Sequence, residues 1–346
     1  MRKLRQVDGL PFLYHNDGGS HRRRYVGESD VKVVLSRLPK PLWKRLEKVV
    51  FRDDWGRSRT LGYTLTKSRR DIALCNLPTR LSLRQCCALH GCSPEDFGAP
   101  LRGQWPALAI RRFQLYSTLL HEIGHLQTIH PNNSQPRRKF AAEPLAEEFA
   151  QEWRGRLWSE HFEHPDPVHN APSVEEIALV RANWAEAHLI YREAMMELSK
   201  TGSGQRLREL EPCFQRAVDL FPQHSLAQAK LGQAIYVRKI SNFEAALECF
   251  RRVLAVDPCH LDANLYGAMC LSRLQQDDEA REWFGRAIKL DQYAPLCRAV
   301  FAEELARMGY EDEAERLFRA ILRANPADEY TQRAFAKFTR AVVESL

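Results

Sequence analysis

The sequence predicts an α+β chain in two parts, a small sheet with helices followed by a region built of helices alone. Three features carry this expectation. Short β-rich runs stand at residues 60–65 and 71–77, an apolar helical pattern covers Leu108 to His130, and the second half repeats itself about every 34 residues. At 346 residues the chain exceeds the usual size of one domain, and its 44% hydrophobic residues exclude a mostly disordered polymer.

At the N-terminus, Arg2, Lys3 and Arg5 are not followed by the apolar stretch of a secretory signal, so a cytoplasmic protein is expected. A membrane span is not expected, because the most apolar run, Leu108 to Leu120, is short and is interrupted by Arg111 and Arg112. Residues 1–170 carry 28 Lys and Arg against 18 Asp and Glu, whereas the remainder is slightly acidic. Basic clusters at Arg22–Arg24, Arg69–Arg70 and Arg137–Lys139 could attract nucleic acid or an acidic protein, although a solvated face is the plainer reading.

The runs Thr60-Leu61-Gly62-Tyr63-Thr64-Leu65 and Asp71-Ile72-Ala73-Leu74-Cys75-Asn76-Leu77 read as a hairpin, with Ile72 to Leu77 the candidate edge strand and an interior strand covered on both sides as the equal alternative. Cys86, Cys87, His90 and Cys92 form a ligand-rich patch, but paired CxxC knuckles are absent and the cysteines read as core residues. All nine cysteines are expected to be reduced.

In the pattern from Leu108 to His130, the residues Phe113, Tyr116, Leu119, Leu120, Ile123 and Leu126 recur at helical spacing. His121-Glu122-Ile123-Gly124-His125 lies on this helix, so the two imidazoles stand one turn apart and can share one metal ion. Glu122 is rotated by about 100° from His121, off the metal but within reach of a metal-bound water as general base. A catalytic zinc takes a third protein ligand. His130 is set about 140° around the helix from His125 and does not match the metzincin spacing. A second helix, Glu143 to His161, offers Glu143, Glu147, Glu148 and Glu152.

An HExxH helix followed by Glu147-x-x-Ala150-x-x-Trp153 resembles the gluzincins, particularly the ImmA/IrrE-type peptidases, over about Val49 to Trp158. The resemblance implies a zincin-like domain at 1–170 with its core at about 49–160. It implies Zn2+ held by His121, His125 and Glu147, with Glu143 and Glu148 as alternatives, Glu122 as base, and an edge strand that pairs with extended substrate. The activity it implies is narrow peptide-bond hydrolysis of a protein. Tyr63, His130, His161, His164 and His169 are the candidates for stabilising developing negative charge, and none is selected.

A long helix, Val174 to Leu198, leads into the repeats. Leu210-Phe214-Ala217-Pro222, Ala246-Phe250-Val253-Pro258, Ala280-Phe284-Ala287-Gln292 and Ala314-Phe318-Ile321-Pro326 align, and their first residues are spaced 36, 34 and 34 apart. Small residues let helices approach while the aromatic fills the groove. The pattern resembles the tetratricopeptide repeat, which implies an all-α solenoid at 173–346 that docks a protein substrate or partner. The rival expectations are a non-hydrolytic adaptor stabilised by zinc and a nucleic-acid-associated regulator.

Overall fold

The computed structural model describes residues 7, 9–15, 22–52, 61–64, 70–78, 83–127, 136–160, 162–238, 242–290 and 295–345. Two compact units divide the chain. The first comprises Met1–Ile190 with Arg216–Ser225 and Ala255–Cys259, and the second the remaining residues.

The first unit is built on a four-stranded sheet of β1 (Phe12–His15), β2 (Lys48–Arg52), β3 (Gly62–Thr64) and β4 (Asp71–Cys75), in the spatial order β1-β2-β4-β3. The strands β1, β2 and β4 run parallel, with Val49 opposite Phe12 and Ile72, and β3 returns antiparallel with Tyr63 opposite Ala73. Parallel neighbours need a crossover, and the helix α1 (Glu28–Arg37) supplies it between β1 and β2. It buries Val31, Val34 and Leu35 at helical spacing.

The hairpin expected at 60–77 forms as β3 and β4, but its edge is the other strand. Every residue of β4 is buried between two neighbours, so Ile72 to Leu77 is not an edge and β3 is. The continuous apolar run Ile72-Ala73-Leu74-Cys75 is the mark of a strand covered on both faces, which the local sequence shares with a buried edge.

The motif helix runs through 107–127 in three parts: Ala107–Phe113, a π-helical turn at Gln114–Leu119, and Leu120–Gln127. Phe113, Leu115, Tyr116, Leu119, Leu120 and Ile123 are all fully buried in the unit's main core. Arg111 and Arg112 are buried too, as ion pairs: Arg111 binds Asp30 at 2.9 Å and Asp166 at 2.6 Å, and Arg112 binds Glu176 at 2.6 Å. A second long helix, Pro136–Ser159, starts seven residues before the expected Glu143 and carries Pro144 inside it.

Of the basic cluster at Arg22–Arg24, Arg23 pairs with Asp257 and Arg24 is buried with its guanidinium 4.5 Å from the Tyr14 ring centroid. Arg70 pairs with Glu47. Arg69 and the side chains of Arg137–Lys139 lie outside the described residues.

In the second unit, helices Phe243–Leu254 of Phe243–Val256, Leu261–Arg273, Asp277–Leu290, Pro295–Arg307, Glu311–Ala324 and Glu329–Ser345 follow one another. The repeated positions Ala246, Phe250, Val253, Ala280, Phe284, Ala287, Ala314, Phe318 and Ile321 are all buried. Gly267 belongs to this packing, because a Cβ there would lie 2.3 Å from Trp283. Among the described residues no helix is long and apolar enough to cross a membrane.

Candidate metal centre

The site sits where the motif helix meets the helix Pro136–Ser159, and small residues set that distance. A Cβ on Gly124 would fall 2.8 Å from Ala146 Cα and 2.9 Å from its carbonyl oxygen, so only glycine fits inside the HExxH sequence here. Ala150, the small residue of the Glu147-x-x-Ala150-x-x-Trp153 pattern, is buried one turn further on. On the opposite side β3 comes equally close, since a Cβ on Gly62 would meet Thr118 Cγ2 at 2.7 Å and Glu122 Cγ at 3.4 Å.

Within this frame the two histidines turn their Nε2 atoms to each other, 3.1 Å apart. The carboxylate beside both is that of Glu143, whose Oε2 lies 3.2 Å from His121 Nε2 and 3.4 Å from His125 Nε2. Four-coordinate zinc with bonds of about 2.0–2.1 Å spaces its ligand atoms roughly 3.3 Å apart. The three atoms therefore fit one face of a zinc tetrahedron, and as two imidazole nitrogens and a carboxylate oxygen they are the donor types that zinc takes.

Glu147 stands one helical turn after Glu143 and meets the other side of the same imidazole. Its Oε2 is 3.2 Å from His121 Nδ1 and also bonds His90 Nδ1, while Gln151 Nε2 donates to its Oε1 at 3.3 Å. Burial opposes ionisation of Glu147, but the hydrogen bonds from His121 and His90 hold its pKa down to about 2. Burial likewise disfavours the His121 imidazolium, yet Glu147, Glu122 and Glu143 together raise its pKa above the usual histidine value. Two overlapping donor groups result, His121 with His125 and Glu143, and His90 with His121 and Glu147.

Glu122, 5% exposed, points to the edge strand, where Thr64 Oγ1 donates to its Oε2 at 2.9 Å. Glu148 is exposed, and Glu152 pairs with Arg156 on its own helix. Tyr63 lies on β3 with Arg52 6.0 Å from its ring centroid. His169 binds the Tyr116 hydroxyl at 3.0 Å and packs edge-on against His164. His130 and His161 lie outside the described residues. His90, which the sequence offers only as a member of a cysteine-rich patch, is the residue brought to the site unforeseen. It follows the short helix Arg84–Leu89, far from the motif in sequence.

No curated protein matches the chain. A family model described as Tetratricopeptide repeat matches residues 233–295, the segment that holds the helices Phe243–Val256, Leu261–Arg273 and Asp277–Leu290. Such repeats generally mediate protein–protein interaction, and the repeat expected in the second half is present there.

Proposed function

We propose that the first unit is a zincin-like zinc peptidase domain and that the chain hydrolyses a protein recruited by its tetratricopeptide repeats. The observation that carries this reading is the triangle of His121 Nε2, His125 Nε2 and Glu143 Oε2, with sides of 3.1, 3.2 and 3.4 Å. His121, His125 and Glu143 are the proposed ligands. Glu147 is proposed to act behind them, bonding His121 Nδ1 so that the ring keeps its tautomer and its orientation. This reverses the order of the two glutamates that the family resemblance implies.

Zinc held there would polarise a scissile carbonyl and acidify a water. Glu122, aimed by the Thr64 hydroxyl, accepts the proton of the attacking water and delivers it to the leaving amine. Among the described residues β3 is the last strand of the sheet, and this edge, next to Glu122, is proposed to pair with an extended substrate backbone. The test is metal analysis of purified protein together with hydrolysis of proteins captured by the full chain. Glu122→Gln should retain one zinc per chain and lose hydrolysis by about a thousandfold or more. Full activity in Glu122→Gln would remove the mechanism.

A further inference from the structure

The His90 that supports Glu147 lies in a turn closed by two thiols. Cys92 N–H donates to the Cys87 carbonyl at 3.0 Å, and Cys92 Sγ is 3.5 Å from the same oxygen. These two contacts bring the Cys92 side chain back over the residue that carries the Cys87 thiol. His90 and Gly91 lie between them on the turn. Gly91 has φ +56°, and a Cβ there would lie 2.9 Å from Gln151 Nε2, the donor that holds both the His90 carbonyl and Glu147. This turn is thus tied to the glutamate helix at His90 and at Gln151.

We propose that Cys87 and Cys92 are a reversible disulfide site whose oxidation displaces His90 from Glu147 and weakens metal binding at His121. The role given to the metal rests on the peptidase reading above; the bridge does not. Cys92 is partly exposed and Cys87 is buried, so attack on an external oxidant begins at Cys92. The hydrogen bond from Cys87 and, behind it, the Arg154 guanidinium hold the Cys92 thiol below its usual pKa against its own burial. Cys87 is pushed above its usual value, first by that bond and then by burial.

With a low-molecular-weight disulfide as oxidant, the Cys92 thiolate attacks one sulfur, forms a mixed disulfide and expels a thiolate. The Cys87 sulfur then displaces the second thiolate, and its proton goes to the departing thiol. Two protein thiols are oxidised to one disulfide while the external disulfide is reduced to two thiols. A disulfide holds its sulfurs about 2.05 Å apart at a fixed dihedral, and on this proposal the turn between the two cysteines, which carries His90, shifts as the bridge closes.

The experiment equilibrates the full chain with oxidised and reduced glutathione, then maps bridges by mass spectrometry and measures zinc affinity by chelator competition. A Cys87–Cys92 bridge, seen as a loss of about 2 Da across the joined peptides, is expected, with zinc binding about tenfold weaker and restored by reduction. Cys92→Ser should bind zinc as the reduced protein does and should not respond to oxidant. Absence of that bridge, a bridge from Cys86 in its place, or unchanged zinc affinity in the bridged protein would each overturn the proposal. The bridge is read without zinc or hydrolysis, so a chain that bridges but never binds zinc counts against the peptidase reading instead, and the His90 imidazole resonance then reports whether the turn has moved.

Discussion

The motif helix and the repeat helices are both buried, but by different means. At the aligned positions of the repeats the buried residues are Ala, Phe, Val and Ile, spaced by the repeat alone, while other positions of the same helices bury a few polar groups such as Asn264, Ser272 and Glu304. The motif helix buries Arg111, Arg112, Gln114, His121 and Glu122 within twelve positions. Each of these requires a partner from elsewhere in the first unit, because a buried charge without one is strongly destabilising. A helix that carries polar chemistry inside a core is therefore specified by distant residues, whereas the aligned apolar positions of a repeat helix are specified by their own pattern, its few buried polar pairs such as Ser272 with Glu304 aside.

That contrast can be tested first by paired substitutions. Arg111→Ala would leave the Asp30 carboxylate, 2% exposed, without its guanidinium and should cost about 3–5 kcal/mol in urea unfolding. Phe284→Ala in the repeats should cost a similar amount, about 3–5 kcal/mol, by opening a cavity. The two differ in rescue. Phe284→Met should recover most of the loss, while Arg111→Met should not, because shape is restored and charge is not. Equal rescue at both sites would break the comparison.

Gly124→Ala is the next largest effect. Its Cβ has no room against the Ala146 backbone, so the two helices must separate, with an expected cost of about 1–3 kcal/mol and a loss of zinc out of proportion to it. Zinc content at temperatures where the variant remains folded checks this. No comparable change is expected from Gly285→Ala on the helix Asp277–Leu290, where a Cβ meets nothing within 4 Å.

The repeats were legible for the reason the comparison gives. A period of 34 with Phe250, Phe284 and Phe318 in register needs no knowledge of partners, and the family match at 233–295 covers the first two of these. The HExxH helix was legible as a helix from its apolar spacing. What could not be read was which acid faces which nitrogen. Glu143 and Glu147 are one turn apart on one face, and only the rotation of the His121 ring, against which His90 from another segment packs edge-on, separates a neighbour of Nε2 from a neighbour of Nδ1. The sheet was half legible: β3 and β4 were visible as a hairpin, but the strands β1 and β2 that turn β4 into an interior strand carry no local sign of that pairing.

Acid should also distinguish the two regions. Burial holds His169 neutral, with its pKa lowered to about 3 from an ordinary value near 6.5. The unfolded chain takes up this proton first, so the contribution is complete above about pH 6.5 and is lost as pH falls towards 3. The first unit, which contains His169, should unfold at lower urea at pH 5 than at pH 7.5. An unchanged midpoint would contradict it.

The smallest effect belongs to the proposed base. Thr64→Val removes one hydrogen bond to the Glu122 carboxylate and should lower kcat by about tenfold, with KM and zinc content little changed and with Thr64→Ser recovering most of the rate.

The most direct measurement is the zinc affinity of two glutamine variants in the full chain, with folding followed by circular dichroism. Glu143→Gln should lose tight zinc binding, because it removes a donor from the His121–His125 triangle. Glu147→Gln should keep the zinc and bind it about 10–100-fold more weakly. Tight zinc in Glu143→Gln and none in Glu147→Gln, both folded, would contradict this assignment of the site.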